Sequence, residues 1–132
     1  MAEPVYKVLT EQAFTLAWSQ GRFAGSADDV RDGFIHLSAA HQLEGTLASY
    51  FAGQAGLVLL AVDAGRLGPD LKWEASRGGA LFPHLYAPLD LAAVLWVEPL
   101  SLGEDGVHRL PAALSPLPVG ERSRRRRGGG GA

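Results

Sequence analysis

The chain contains no cysteine, which excludes disulfides, thiol nucleophiles and cysteine-ligated zinc. No apolar run approaches the roughly 20 residues that a membrane span needs. The N-terminus has neither the basic start nor the unbroken apolar stretch of a signal peptide, so the expected location is the cytoplasm, with no membrane contact. No Gly-x-Gly-x-x-Gly or phosphate-binding loop follows a strand and opens a helix. Basic charge is scarce where a nucleic-acid-binding domain would need it. Residues 1–120 carry seven Lys/Arg against thirteen Asp/Glu, a balance of −6, whereas residues 121–132 carry five Arg against one Glu, a balance of +4. A dedicated nucleic-acid-binding domain carries its basic patch on the fold itself. Arg124, Arg125, Arg126 and Arg127 therefore offer only weak, salt-sensitive attraction to RNA or another acidic surface.

What is present is an ordinary folding composition, with 47% apolar and 20% charged residues over 132 positions. The expected organisation is one α+β domain over residues 1–120, followed by a disordered Arg/Gly-rich tail over 121–132. Pro4–Leu9 alternates as an opening strand, with Val5, Lys7 and Leu9 on one face and Tyr6 and Val8 on the other. Thr10 is placed to cap a helix over 11–20, which Gly21 ends. Residues 21–32 read as a surface excursion with one helical turn from Ser26. A short strand, Gly33–Ser38, runs into a helical pattern over 39–51, ended by Gly53. Gly56–Asp63 is nearly continuous apolar sequence, as in a strand buried on both faces. Leu71–Glu74 and Leu81–Tyr86 follow as strands. Ala92–Val97 favours strand over helix through its β-branched and aromatic content, and Asp105-Gly106 signals a hairpin. Some six strands and two helices result, with the strands clustered late, which favours α+β over a regular βαβ repeat.

The residues that can carry chemistry cluster around Gly33-Phe34-Ile35-His36-Leu37-Ser38. On a strand, Phe34, His36 and Ser38 share a face while Ile35 and Leu37 enter the core. An imidazole and a hydroxyl then stand together where the strand ends and a helix N-terminus begins, a place that favours anions. In this reading His36 faces a wet cleft and contributes little to stability. His84 shares a face with Tyr86 in the same way. His41 and His108 read as solvated. Glu74 is a candidate general base or partner of a ribose hydroxyl, Arg77 a candidate phosphate ligand and Trp73 a candidate platform beside them. Trp18 and Trp96 read as core. His36, His84 and Glu74 are acceptable zinc-ligand types, which gives metal-assisted hydrolysis as a minor alternative. They lack the short His-x-x-x-His spacing of a strong metal motif, and no metal is expected.

Three segments together, Gly33–Ser38 with Gln42 four positions on, Trp73-Glu74, and Phe82-Pro83-His84-Leu85-Tyr86, resemble the bacterial domain of unknown function 952 family over roughly residues 4–111. That family is placed by fold beside the ADP-ribosyltransferases. Ile35-His36-Leu37-Ser38 is also similar to the His-x-His-Leu-Ser segment of the RNA 2′-phosphotransferases of that superfamily. The resemblance implies an ADP-ribosyltransferase-like fold of two small, bent, mainly antiparallel sheets with two helices and a cleft between the sheets. In relatives that cleft holds NAD. It further implies that NAD or an ADP-ribose-like nucleotide is the ligand, with His36 and Glu74 as catalytic residues and Ser38, Trp73, Arg77, His84 and Tyr86 as ligand-binding ones. Family members usually carry a histidine where this chain has Lys7, so Lys7 stands at the implied site with a different chemistry. The implied activity is glycosyl (ADP-ribosyl) or phospho transfer. The alternative is a binding module whose cleft has lost catalysis.

Overall fold

The computed structural model describes residues 3–114. The expected Arg/Gly-rich tail and its arginines lie outside the described residues.

Strand β1 (Val5–Thr10) is antiparallel to β4 (Leu57–Val62), in register from Val5 opposite Val62 to Thr10 opposite Leu57. Alternation then divides the two strands between two cores. Val5, Leu9, Val58, Leu60 and Val62 enter one, and Tyr6, Val8, Leu57, Leu59 and Ala61 enter the other. All six residues of β4 are buried, which is why its sequence is continuously apolar rather than alternating. Each fully buried leucine there contributes roughly 1.5–3 kcal/mol.

The first core is roofed by α1 (Glu11–Gln20). Thr10 Oγ1 accepts the Ala13 amide at 3.0 Å, and Gly21 ends the helix in the left-handed region that a side chain would resist. Strand β2 (Arg22–Phe23) then leads to α2 (Ala27–Asp32) and β3 (Ile35–His36), and α3 (Leu43–Tyr50) covers the second core through Leu43 and Leu47. Beyond β4 come a short turn of helix, α4 (Ala64–Leu67), and strands β5 (Leu71–Ala75), β6 (Leu81–Leu85) and β7 (Leu89–Asp90). The chain closes with the hairpin of β8 (Val94–Leu102) and β9 (His108–Arg109).

The strands form a four-stranded sheet in the order β1-β4-β8-β9, a three-stranded sheet in the order β3-β6-β5 and the pair β2-β7. Every pairing is antiparallel. The larger two sheets meet where Tyr6 and Ser38 exchange backbone hydrogen bonds of 2.8 and 2.9 Å.

The α+β class holds, with several corrections to the details. Three sheets replace two, and the described residues hold nine strands and four α-helices, besides short 3₁₀ turns, rather than six and two. Residues 21–32 carry the helical turn expected from Ser26, as α2, but the excursion is tied to the fold. Arg22 and Phe23 pair with Asp90 and Leu89, and α2 is fixed by a reciprocal capping box between Ser26 and Asp29. The pattern over 39–51 divides into a 3₁₀ turn, Ala40–Gln42, and α3, which ends at Tyr50 before Gly53. Strand β8 starts later than expected, after a 3₁₀ turn at Leu91–Ala93, and continues through Pro99. Since β9 pairs only from Ser101, β8 is an edge on that side at Pro99, where a strand tolerates proline. Among the described residues no helix is long and apolar enough to cross a membrane.

Candidate functional site

Lys7 faces the first core from the middle of β1 and is 8% exposed. A buried ammonium is costly without partners, and three acceptors surround this one. They are both carboxylate oxygens of Asp29, at 3.2 and 3.0 Å, and the backbone carbonyl of His36, at 2.9 Å. Burial pulls Lys7 below the ordinary lysine pKa, with Asp29 opposing. Burial acts to raise the Asp29 carboxyl as well. Lys7, the Ser26 amide, and the ring and amide of His36 outweigh it and hold that carboxyl below its usual value.

His36 is clamped by two acids of α2. Its Nδ1 lies 2.7 Å from Asp29 and its Nε2 lies 2.9 Å from Asp32, while its amide donates to Asp29 at 3.0 Å. The doubly protonated ring donates to both carboxylates, whereas a neutral ring can donate to only one. Asp32 is held below its ordinary pKa first by the hydrogen bond from Arg31 and further by His36.

His84 lies opposite His36 across the β3–β6 ladder, with ring centroids 5.8 Å apart. It is 4% exposed and stacks on Phe34 at 4.0 Å. Its Nδ1 lies 2.8 Å from Glu74 Oε1, which also accepts from Tyr86 Oη at 2.7 Å. The Tyr86 bond and then the His84 bond hold Glu74 below the ordinary glutamate pKa, and the Glu74 bond pushes Tyr86 up. With Nδ1–H donated to Glu74, Nε2 of the neutral ring is an acceptor. It has no protein partner among the described residues.

These groups stand around a cavity of about 240 Å³ between β1, α2, α3 and the three-stranded sheet. Lys7, His36, Ser38 and His84 line it. Ser38 is buried, and its Oγ lies 2.8 Å from Thr46 Oγ1. Glu74 and Tyr86 stand behind His84 rather than on the cavity wall. Trp73 is placed apart. It pairs with Pro83 on the other face of β5, is 47% exposed and does not line the cavity. Trp18 is exposed as well, not core. The backbone of Arg77 lies in a 3₁₀ turn, Arg77–Gly79, and its side chain lies outside what is described. His108 is not solvated. It is buried, with Nε2 donating to the Gln54 carbonyl at 2.6 Å. Among the described residues, no three His, Asp or Glu side chains gather as a metal site.

Sequence reasoning missed Asp29, Asp32 and the stacking role of Phe34. Two signals bore on Asp29. A lysine on an otherwise apolar strand needs a buried counter-charge, and Ser26-x-x-Asp29 is a capping-box spacing.

The chain belongs to the family described as protein of unknown function (DUF952), whose model matches residues 8–97. It is 56% identical to protein CC0527 from Caulobacter crescentus in a crystal structure, with a TM-score of 0.80 over 84% of this chain and 97% of that one. The solution NMR structure of CC0527 matches at 57% identity and a TM-score of 0.74, over 81% and 92% of the two chains. Among curated protein sequences nothing matches.

Proposed function

We propose that the protein binds NAD or an ADP-ribose-like nucleotide, with the glycosidic end of the ligand in the cavity beside His84. The observation that carries this reading is the Glu74–His84 pair. A buried imidazole lines the cavity, stacked on Phe34 and anchored at Nδ1 by a carboxylate, with Nε2 uncommitted. Such a nitrogen accepts a hydrogen bond from a ribose hydroxyl, or its proton during transfer at the sugar. Ser38 and Thr46 add hydroxyls on the same wall. At about 240 Å³ the cavity is smaller than the roughly 300–1,000 Å³ pockets that enclose drug-sized ligands, so it takes one end of a nucleotide and leaves the rest outside. The likeness of Ile35–Ser38 to the RNA 2′-phosphotransferase segment supports an ADP-ribosyltransferase-like ancestry for the site.

In a transferase of this kind, positive charge develops on the ribose as the leaving group departs, and carboxylates near the sugar stabilise it. Glu74 would act through His84, and Asp32 with His36 would orient the ligand. One observation favours the second reading, binding without turnover. Lys7 is committed to three acceptors and His36 to two carboxylates, so neither presents a free group to a substrate.

Calorimetric titration with NAD, ADP-ribose and nicotinamide tests the proposal, followed by chromatography of NAD incubated with the protein. Binding that weakens at least several-fold in His84→Asn supports the site. Release of nicotinamide supports the transferase form, and binding without release supports the binding module. No binding of any of the three refutes the proposal.

A further inference from the structure

Tyr86 is the third member of the Glu74–His84 contact. Strand alternation carries Phe82 and His84 to one side of β6, and the Tyr86 ring follows on that side to meet Phe34. Glu74 lies opposite Phe82 on β5, one diagonal step from His84. Its Oε1 serves both neighbours, accepting from Tyr86 Oη at 2.7 Å and lying 2.8 Å from His84 Nδ1. Burial falls off outward along this row. The His84 side chain is 5% exposed, the Glu74 side chain 39%, and Tyr86 is 41% exposed. A carboxylate that open to water samples several rotamers unless it is tethered. The Tyr86 hydroxyl supplies a second tether, from a side chain that does not line the cavity. Phe34 fixes the ring planes, stacking on His84 at 4.0 Å and meeting the Tyr86 ring at 5.3 Å.

Neutral histidine in water carries its ring proton mainly on Nε2, and a hydrogen bond at one nitrogen decides the tautomer in a protein. We propose that Tyr86 is a positioning residue, which holds Glu74 so that His84 keeps its proton on Nδ1 and shows the cavity a bare acceptor at Nε2. The inference rests on the binding role proposed for the cavity and adds its selectivity. The part of the ligand that reaches His84 must present a neutral O–H or N–H donor, because a buried acceptor is satisfied only by a donor. A phosphate-ester oxygen offers lone pairs alone and meets the Nε2 lone pair head on. The Lys7 ammonium gives it no relief, being committed to three acceptors. The phosphates of a nucleotide therefore stay away from His84, and a hydroxyl or amide is the group that enters.

Imidazole ¹⁵N NMR of the intact protein near neutral pH reads the tautomer directly and needs no ligand. The parent should show His84 protonated at Nδ1 alone. Tyr86→Phe keeps the ring that meets Phe34, so Tm should move by no more than about 2 °C, while a measurable share of the proton passes to Nε2. Glu74→Ala should move most of it. ADP-ribose affinity should fall about three- to tenfold in Tyr86→Phe, the worth of one hydrogen bond. Inorganic sulfate, an acceptor on every side, should leave the parent Nε2 signal in place. A parent ring protonated at Nε2, alone or together with Nδ1, overturns the proposal. An unchanged tautomer in Tyr86→Phe overturns the positioning role, and a shift of the Nε2 signal by sulfate overturns the selectivity. If the Nδ1 tautomer depends on Tyr86 but ADP-ribose, NAD and nicotinamide all fail to bind, the positioning role stands and the nucleotide reading of the cavity falls.

Discussion

Removing Asp29 should be the most damaging single polar change in the molecule, although the residue sits on a six-residue helix that reads as surface. Asp29→Ala deletes the two oxygens that accept from Lys7, the Ser26 amide, the His36 amide and the His36 ring. The Lys7 ammonium then stays buried with one backbone carbonyl as its partner. Breaking one side of a buried ion pair costs about 3–5 kcal/mol, a large share of the roughly 5–15 kcal/mol by which a domain is stable. For a chain of this length 1 kcal/mol moves Tm by about 4 °C, so the expected fall is about 12–20 °C by circular dichroism. Lys7→Met should cost less, because Asp29 keeps its three N–H donors from Ser26 and His36. The double variant should cost less than the sum of the two singles, since the orphaned ammonium is gone. The pH dependence has a definite sign. A carboxyl held below its unfolded pKa contributes stability that is present above the unfolded value and lost as pH falls through the folded one. Acid unfolding below about pH 4 should therefore be steeper in the parent than in Asp29→Ala. An Asp29→Ala loss under about 1 kcal/mol, or strict additivity with Lys7→Met, would refute the buried-pair argument.

Ile35→Ala should cost about 2–5 kcal/mol, because the side chain is 3% exposed in the first core. His36→Asn, measured beside it by urea unfolding, should cost about 1–2 kcal/mol, more than a histidine facing only solvent, because two carboxylates lose their donor. Glu74→Gln should weaken ADP-ribose binding several-fold in calorimetry while moving Tm by no more than about 2 °C. His108→Ala should lower stability by about 1–2 kcal/mol with no effect on ligand binding, since it joins the hairpin strand to the Gln54 carbonyl far from the cavity.

Local chemistry was the legible part of this sequence. The cap at Thr10, the left-handed stop at Gly21, the fully buried β4 and the Asp105-Gly106 hairpin each depend on neighbours a few residues away. The faces of Phe34, Ile35, His36 and Leu37 followed from strand alternation alone. What could not be read was the pairing of Lys7 with Asp29, 22 positions apart, because no local pattern encodes which buried charge meets which. The same limit hid the role of Glu74. Its partners, His84 on β6 and Tyr86 just after it, lie 10 and 12 positions along the chain, beyond any local pattern. Trp73 was misplaced for a simpler reason. It alternates with Glu74, and a strand cannot send adjacent side chains to the same face.

The exchange of two hydrogen bonds between Tyr6 and Ser38 has a consequence for how this site can change over generations. The two walls are riveted together by main chain, at residues immediately beside Lys7 and Leu37. Cavity width at that rivet is set by peptide geometry, and the Lys7 ammonium adds a side-chain tie from β1 to the His36 carbonyl on β3. Replacement of a residue next to the rivet alters what the wall presents while the distance between walls stays fixed. That is a physical reason why the side chain at position 7 can differ without shifting the main chain of the two walls at the rivet. New specificities can then be sampled one side chain at a time on an unchanged frame.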